Sequence, residues 1–323
     1  MPELPEVHTT ATILDKLIKG LIILDVWSGY NSAYHKGKKN IKDRKYFDWF
    51  RRKIIEQKIE DVGRRGKNVL INLSDEETIL VHMKMTGHLL YGTYKKNVKF
   101  KNQNEKLKER RGWEKEEWRP IESESEALKD PFNRFIRLVF SFSNGKHLTL
   151  SDVRRFAKVC LLPTGKLAES NDLKDIGPEP LGKNFDFKTF FERLQTRPKA
   201  KIKTVLMDQT VLAGVGNIYS DEALWLTGLH PESVVEKIPL AKLKELFKNV
   251  IIVLKKGIYF RGDSTSDYRN PNGEKGNFQN KHNVYRLKNQ PCSKKDGGTI
   301  TRIVVGARSA HFCPIHQKLF TSK

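Results

Sequence analysis

The chain has 323 residues, of which 38% are hydrophobic; this is enough for a substantial core and favours two domains over one. Its 60 Lys and Arg against 38 Asp and Glu give a formal net charge of +22, which indicates a polyanionic partner, with a merely basic surface as the alternative. The chain has only three cysteines and begins without signal-peptide features, which argues against a secreted protein. It contains no apolar run near the ~18 residues of a membrane helix, which argues against a membrane protein. We therefore predict a cytoplasmic protein.

The N-terminal part predicts an amphipathic helix followed by an antiparallel β-sandwich, which we assign to residues 1–165. Pro5 suits the first turn of a helix and Gly20 suits its end. Between them, five apolar residues share one face: Val7, Ala11, Leu14, Leu17 and Ile18. Short β-like runs follow at a spacing typical of a sandwich or barrel, namely Leu21–Val26, Val69–Leu73, Thr78–His82, Ile136–Phe142, Leu148–Leu150 and Lys158–Leu162.

A polar stretch at 94–130 interrupts the β-like runs. It contains 11 Lys and Arg and nine acids, with Trp113 and Trp118 as its apolar anchors. We predict an insertion on the sandwich surface, partly helical or mobile. Its nearly balanced charge favours a solvated segment over one that contacts DNA.

After the Gly-Pro-Glu-Pro sequence at 177–180 the pattern becomes helical. The predicted helices are Phe187–Gln195, Lys201–Met207, Asn217–Leu226 and Leu240–Tyr259. The tail ends in two β-like runs, Thr299–Val305 and His311–Phe312, joined by a turn at Gly306. The predicted class is therefore α+β: a β-sandwich with flanking helices, a helical domain at 176–260, a loop at 261–281 and a β-ribbon at 282–323.

Five segments, in this order, resemble the family of formamidopyrimidine-DNA glycosylase and endonuclease VIII. They are MPELPEV at 1–7, GRRGK at 63–67, DVRRF at 152–156, AGVGNIY at 213–219, and GAR with CPIH between 306 and 316. Each alone is weak evidence, whereas five in the family's order are specific. The resemblance implies a DNA-repair enzyme whose helical domain contains a helix–two-turn–helix motif.

Pro2 is the candidate nucleophile. Removal of Met1 would leave Pro2 with a free secondary amine, and an α-amino group titrates near 8, against about 10.4 for Lys, so much more of it is nucleophilic at neutral pH. Attack on the sugar C1′ expels the base and leaves an iminium, which acidifies the C2′ proton and leads to strand cleavage by elimination. Without the other segments, an ordinary chain start would be the preferred interpretation.

Four charged residues complete the predicted catalytic set. Glu3 is placed to move protons to and from the sugar ring oxygen and the leaving group. Glu6 would orient the amine, although a carboxylate favoured by the helix dipole explains it equally well. The resemblance makes Lys67 a phosphate contact and proton donor, and makes Arg308 the finger arginine that enters DNA and assists the elimination.

The resemblance also implies DNA contacts. Met85, Phe156 and Arg154 are the implied fillers of the gap left by an extruded nucleotide, as an apolar wedge, an aromatic ring and a guanidinium, respectively. The alternative is that Met and Phe at strand spacing commonly belong to a core. The other implied contacts are Arg155, Lys199, Lys203, Asn217 and Tyr219, with Gly214 and Gly216 letting the backbone approach a phosphate. Residues 133–135 read Asn-Arg-Phe, where the family usually has a His-containing segment, so that DNA contact is not assigned.

Residues 262–279 resemble the lesion-capping loop of the purine-specific branch of the family. The candidate contacts in it are Ser266, Asp267 and Tyr268. A generic surface loop rich in Gly and Asn is the alternative.

The C-terminal ribbon resembles the family's zinc finger, which uses two Cys-x-x-Cys pairs. Cys313 and His316 keep the second pair, whereas Cys292 has no second thiol near it. Asp296 becomes the fourth ligand if one residue is inserted. We predict one zinc ion per chain, with a metal-free ribbon held by packing as the alternative.

The favoured function is a bifunctional glycosylase and AP lyase that removes oxidised purines, such as 8-oxoguanine and formamidopyrimidines, from double-stranded DNA as a monomer. An endonuclease VIII-like preference for oxidised pyrimidines is the first alternative, against which the MPELPEV start and the loop at 262–279 argue. A non-catalytic damaged-DNA-binding protein is the second, and Pro2, Glu3 and Lys67 argue against it.

Overall fold

The N-terminal domain of the computed structural model, which describes residues 1–30, 32–99 and 115–321, contains two four-stranded antiparallel sheets. Two helices flank them: α1 (Leu4–Ile18) and α2 (Arg44–Ile54). The first sheet has the order β1 (Ile23–Ser28), β8 (Ile136–Phe142), β9 (His147–Ser151), β5 (His88–Gly92). The second has the order β10 (Lys158–Pro163), β4 (Glu77–His82), β3 (Asn68–Leu73), β2 (Ile59–Arg65).

Helix α1 joins two separate cores. Its predicted apolar face is buried in the N-terminal core, apart from Leu17, which is only partly buried. Leu4, at the start of the same helix, belongs instead to the core of the helical domain. The first residues of the chain are thereby fixed where the two domains meet.

The insertion at 94–130 is not mainly helical where the structure describes it. It begins with an antiparallel ribbon of β6 (Tyr94–Lys99) and β7 (Lys115–Pro120) and ends with the single-turn helix α3 (Glu126–Lys129). Trp118 packs against Trp27 of the sandwich, whereas Trp113 lies outside the described residues. The expected apolar anchor is thus present at Trp118; the insertion is helical only at α3, and its two strands were not predicted.

The C-terminal half has the predicted helices and ribbon. The helices are α4 (Phe187–Gln195), α5 (Ile202–Met207), α6 (Asn217–Thr227) and α7 (Leu240–Tyr259), and the ribbon strands are β11 (Thr301–Val305) and β12 (Arg308–Phe312). Gly306 and Ala307 form the ribbon turn, both with positive φ. The predicted α+β class is confirmed.

Besides β6 and β7, the sequence analysis missed three elements of the N-terminal domain: α2, β2 and β5. The first two are rich in charged residues, and β5 is a short run buried on both faces, so neither the amount nor the alternation of apolar residues marks them. Among the described residues, no helix is both long and apolar enough to cross a membrane.

Candidate active site

Glu3 is held at the junction of α1 and α6. Its carboxylate accepts the backbone N–H groups of Ile218 (3.0 Å) and Tyr219 (3.5 Å), in the first turn of α6. The side chain is almost fully buried, and this burial raises the pKa of Glu3, against the opposing effect of the Lys67 charge. A raised pKa favours the protonated form of this carboxyl group and suits it to proton transfer.

The glycines before α6 make room for the start of the chain. A Cβ on Gly216 would lie 2.6 and 2.7 Å from the two carboxylate oxygens of Glu3, and a Cβ on Gly214 would lie 2.6 Å from Leu4 Cβ. Leu4 also donates its N–H to the Gly214 carbonyl at 3.0 Å. The glycines therefore leave room for Glu3 and Leu4 beside the N-terminal end of α6, where the sequence analysis expected a phosphate.

The Glu6 side chain lies next to the backbone of Glu3. It accepts three short hydrogen bonds, from Glu3 N (2.7 Å), Tyr219 Oη (2.6 Å) and Asp263 N (2.7 Å). Burial, together with the neighbouring charge of Glu3, raises the pKa of Glu6 to about 7. Glu6 thus fixes the backbone at Glu3, whereas its role in orienting the Pro2 amine stays a prediction.

Lys67 occupies the two-residue turn between β2 and β3. Its ammonium group donates to the Val215 carbonyl at 2.9 Å and is nearly enclosed. Burial lowers the pKa of Lys67, and the charge of Glu3 opposes this effect. Because the loop before α6 accepts this hydrogen bond, Lys67 and Glu3 are held against the same segment.

Glu179, which the sequence analysis missed, clamps this turn. Its carboxylate pairs with Arg64 (2.7 Å) and Arg65 (3.1 Å) and accepts the N–H of Gly66 at 2.6 Å. The pKa of Glu179 is lowered overall, because the two guanidinium groups and the Gly66 N–H outweigh the opposing effect of burial. A lone carboxylate in the Pro-rich 177–180 sequence is the signal that could have found it.

A cleft of about 730 Å³ brings the predicted groups together. Its walls include Met1, Glu3, Lys67, Met85, Arg154, Asn217, Ser266, Asp267 and Arg308. Met85 and Phe156 are well exposed, and the Arg154 guanidinium lies 4.5 Å from the centre of the Phe156 ring. Exposed apolar side chains beside a basic cleft agree with a wedge better than with a core.

Two predicted DNA contacts are buried instead. Lys203 is fully enclosed and pairs with Asp221, which also accepts the backbone N–H (2.9 Å) and a ring nitrogen (3.2 Å) of His311. Tyr219 is enclosed beneath Glu6. In this conformation both residues support the site from inside, so their assignment as DNA contacts is corrected, whereas Lys199 is exposed as expected.

The loop at 262–279 is attached to both domains. Ser266 and Asp267 face the cleft, but Tyr268 is buried and donates to the Glu6 carbonyl at 3.1 Å, so it is not a lesion contact here. Arg269 is fully buried and pairs with Asp130 of the N-terminal domain at 3.2 Å. Within this loop, Asp263 and residues 265–267 line the cleft.

The four predicted metal ligands lie together. One ligand atom from each of Cys292, Asp296, Cys313 and His316 falls within 4.8 Å of the others. His316 Nδ1 faces the cluster while its Nε2 lies 3.2 Å from the Trp225 carbonyl, the outer hydrogen bond usual for a metal-binding histidine. A Cβ on Gly298 would collide with Cys313 Sγ, so the backbone closes around the cluster. Two thiols, an imidazole and a carboxylate fit a tetrahedral zinc site.

The double sheet, the helical domain and the terminal ribbon meet at the cleft that Glu3, Lys67 and Arg308 line, an arrangement that fits a DNA glycosylase of the base excision repair class. The family models for the formamidopyrimidine-DNA glycosylase N-terminal domain and H2TH domain match residues 1–159 and 176–269, respectively. The chain belongs to the formamidopyrimidine-DNA glycosylase family.

Relatives and solved structures agree over the full length. The formamidopyrimidine-DNA glycosylases of Pelotomaculum thermopropionicum and Herpetosiphon aurantiacus are each 34% identical to this chain, cover 99% and 98% of it, and are themselves covered completely. A complex of Lactococcus lactis Fpg with abasic-site DNA has 28% identity and a TM-score of 0.77, covering 98% of this chain and 99% of its own. A complex of a mutant of the same enzyme with Fapy-dG-containing DNA has 29% identity and a TM-score of 0.77, covering 98% of this chain and all of its own.

Proposed function

We propose that this protein is a bifunctional DNA glycosylase and AP lyase that removes oxidised purines from double-stranded DNA. The observation that carries the proposal is the single cleft in which the start of the chain, Glu3, Lys67 and Arg308 meet. DNA as the partner is supported by the +22 charge and by the DNA complexes of the structural relatives.

Pro2 is the nucleophile of the proposed reaction. Met1 lines the cleft ahead of Pro2, so its removal would open the Pro2 nitrogen to that space. The amine forms a bond to C1′ as the C1′–N bond to the base breaks, and the base leaves with a proton. The C1′–O4′ bond of the sugar then breaks as O4′ takes up a proton and the Pro2 nitrogen loses its own, which leaves an iminium at C1′. Loss of the C2′ proton from this iminium expels the 3′ phosphate and cuts the strand. The iminium is the electron sink for the second step.

Three residues of this chain support those steps. Glu3, whose pKa is raised by burial, exchanges protons with the sugar ring oxygen and the departing base. Lys67 supplies a cation beside Glu3, and Arg308 reaches the cleft from the ribbon turn. Their cationic groups would hold the phosphates that flank the extruded nucleotide.

Purine preference is supported by the loop at 262–279. Ser266 and Asp267 stand at the cleft while Arg269 and Tyr268 fix the loop behind them. A loop held beside the cleft in this way would be placed to close over a flipped base and to form hydrogen bonds with its edge. Deleting the loop would also remove the Arg269–Asp130 pair, so point changes at Ser266 and Asp267 are the cleaner test.

Zinc is the proposed metal of the ribbon. Cys292, Asp296, Cys313 and His316 would hold it, and the ion would supply only a rigid fold for the ribbon. These residues belong to the same C-terminal ribbon segment as the turn that carries Arg308. Metal binding would thereby position Arg308 without taking part in the chemistry.

Borohydride trapping on lesion-containing duplexes tests the nucleophile. We expect a covalent protein–DNA adduct with the processed wild type and its loss in Pro2→Gly or in protein that retains Met1. Equal trapping by Pro2→Gly would refute the Pro2 mechanism. Faster excision of thymine glycol than of 8-oxoguanine by the wild type would refute the purine preference.

A further inference from the structure

A second cavity, of about 380 Å³, lies beside the loop that follows β9. Arg154 of this loop lines the catalytic cleft, and the next residue, Arg155, lines the second cavity. Four arginines and two tryptophans stand in its walls; we name it the arginine pocket, formed by Trp27, Trp118, Arg119, Arg134, Arg137 and Arg155.

The arginine pocket is strongly cationic. Among its described lining residues the only acid is Glu117, which pairs with Arg119 at 3.0 Å. Arg137 is half-buried, and this burial and the nearby charge of Arg155 lower its pKa. Guanidinium groups gathered in this way repel one another, and an anion that enters between them relieves the repulsion.

A second carboxylate close to the pocket, that of Asp152, is already engaged. Asp152 is buried and accepts hydrogen bonds from Thr86 Oγ1 (2.7 Å), Tyr30 Oη (3.0 Å) and Ala157 N (2.9 Å). Arg137 reaches only its backbone carbonyl, at 3.3 Å. Asp152 therefore shapes the loop and moderates the charge of the pocket without forming an ion pair with its arginines.

The insertion completes the pocket. Trp118 and Arg119 lie on β7, and the Trp118 ring lies 6.1 Å from Trp27 and 5.3 Å from His147. This packing places Arg119 opposite the sandwich arginines. Arg134 comes from the segment that departs from the family's His-containing pattern and is exposed at the pocket.

We propose that the arginine pocket binds the phosphate backbone of the DNA duplex next to the lesion, and that the insertion thereby extends the DNA-binding surface. Consecutive Cα atoms are only about 3.8 Å apart, so a duplex whose gap is filled by Arg154 passes within reach of Arg155 and the pocket beside it. Guanidinium forks suit phosphate oxygens, and the tryptophan faces suit the apolar side of deoxyribose. The choice of DNA rests on the proposed function.

Salt-dependent binding tests the proposal. Affinity for an undamaged duplex and for one with an abasic-site analogue would be measured by fluorescence anisotropy at several salt concentrations. The test variant is Arg119→Gln with Arg134→Gln, both exposed side chains whose loss spares the core. The matched control is Arg193→Gln, an exposed arginine on α4 of the helical domain.

We expect the double variant to bind both duplexes about 10-fold more weakly at low salt and to lose roughly two units of the log–log salt slope, since each phosphate contact contributes ~0.9. The control should behave as wild type. A double variant with the affinity and slope of the control would overturn the proposal. Weaker binding by the double variant, together with a wild type that cuts no lesion, would uphold the arginine pocket and refute the glycosylase function instead.

Discussion

Gly216→Ala should remove activity while leaving the fold intact. Gly216 has φ −139° and ψ −152°, an extended conformation that alanine adopts without strain. The new Cβ would lie 2.4 Å from the Glu3 carboxyl carbon, against about 3.4 Å for an ordinary contact. Glu3 must therefore move by roughly 1 Å and weaken its hydrogen bonds to Ile218 and Tyr219.

A displacement of this size at a catalytic group costs on the order of 100-fold in rate, equivalent to about 3 kcal/mol of transition-state stabilisation. Single-turnover excision, with the melting temperature measured in parallel, would separate this effect from unfolding. Gly63→Ala is the control, because nothing lies within 4 Å of its added Cβ. Excision by Gly216→Ala within about threefold of the control would refute the catalytic placement of Glu3.

Three further predictions concern two buried charged groups and the proposed metal site. The folded protein keeps a proton on Glu6 up to about pH 7, whereas an unperturbed carboxyl releases it near 4.5. The free energy of unfolding should therefore fall by roughly 3 kcal/mol as the pH rises through this window. Urea unfolding at pH 5 and 8 should show this fall in the wild type but not in Glu6→Gln. An equal fall in the two proteins would contradict the prediction. Lys203→Met leaves the Asp221 carboxylate buried without its cation and should lower stability by about 3–5 kcal/mol, partly recovered when Asp221→Asn is added; an unchanged melting temperature would exclude the pair as a support. Asp296→Ala should reduce bound zinc well below one per chain while Asp296→Cys retains it, and equal metal content by elemental analysis would exclude Asp296 as a ligand.

Local pattern was sufficient for the elements with a strong periodic signal. Helices α4 and α7 have the predicted ends, and the ribbon turn lies at the expected glycine. The motifs also marked Glu3, Lys67 and Arg308 before their geometry was known, since each stands in a distinctive segment. Strands β6 and β7 could not be predicted in this way, because their polar sequence becomes a ribbon by pairing with itself and packing Trp118 on the sandwich.

The sequence by itself predicted which side chains would carry the chemistry, whereas the tertiary structure decided where each of them faces. A lysine in a basic helix looks like a phosphate ligand, yet Lys203 is enclosed because its ammonium group is bound by Asp221 and Ser220 of α6. The glycines before α6 look like a phosphate loop, yet the start of the chain occupies their space. Burial and charge pairing arise between segments far apart in the chain, so no local pattern can show whether a polar group meets solvent, DNA or its own protein.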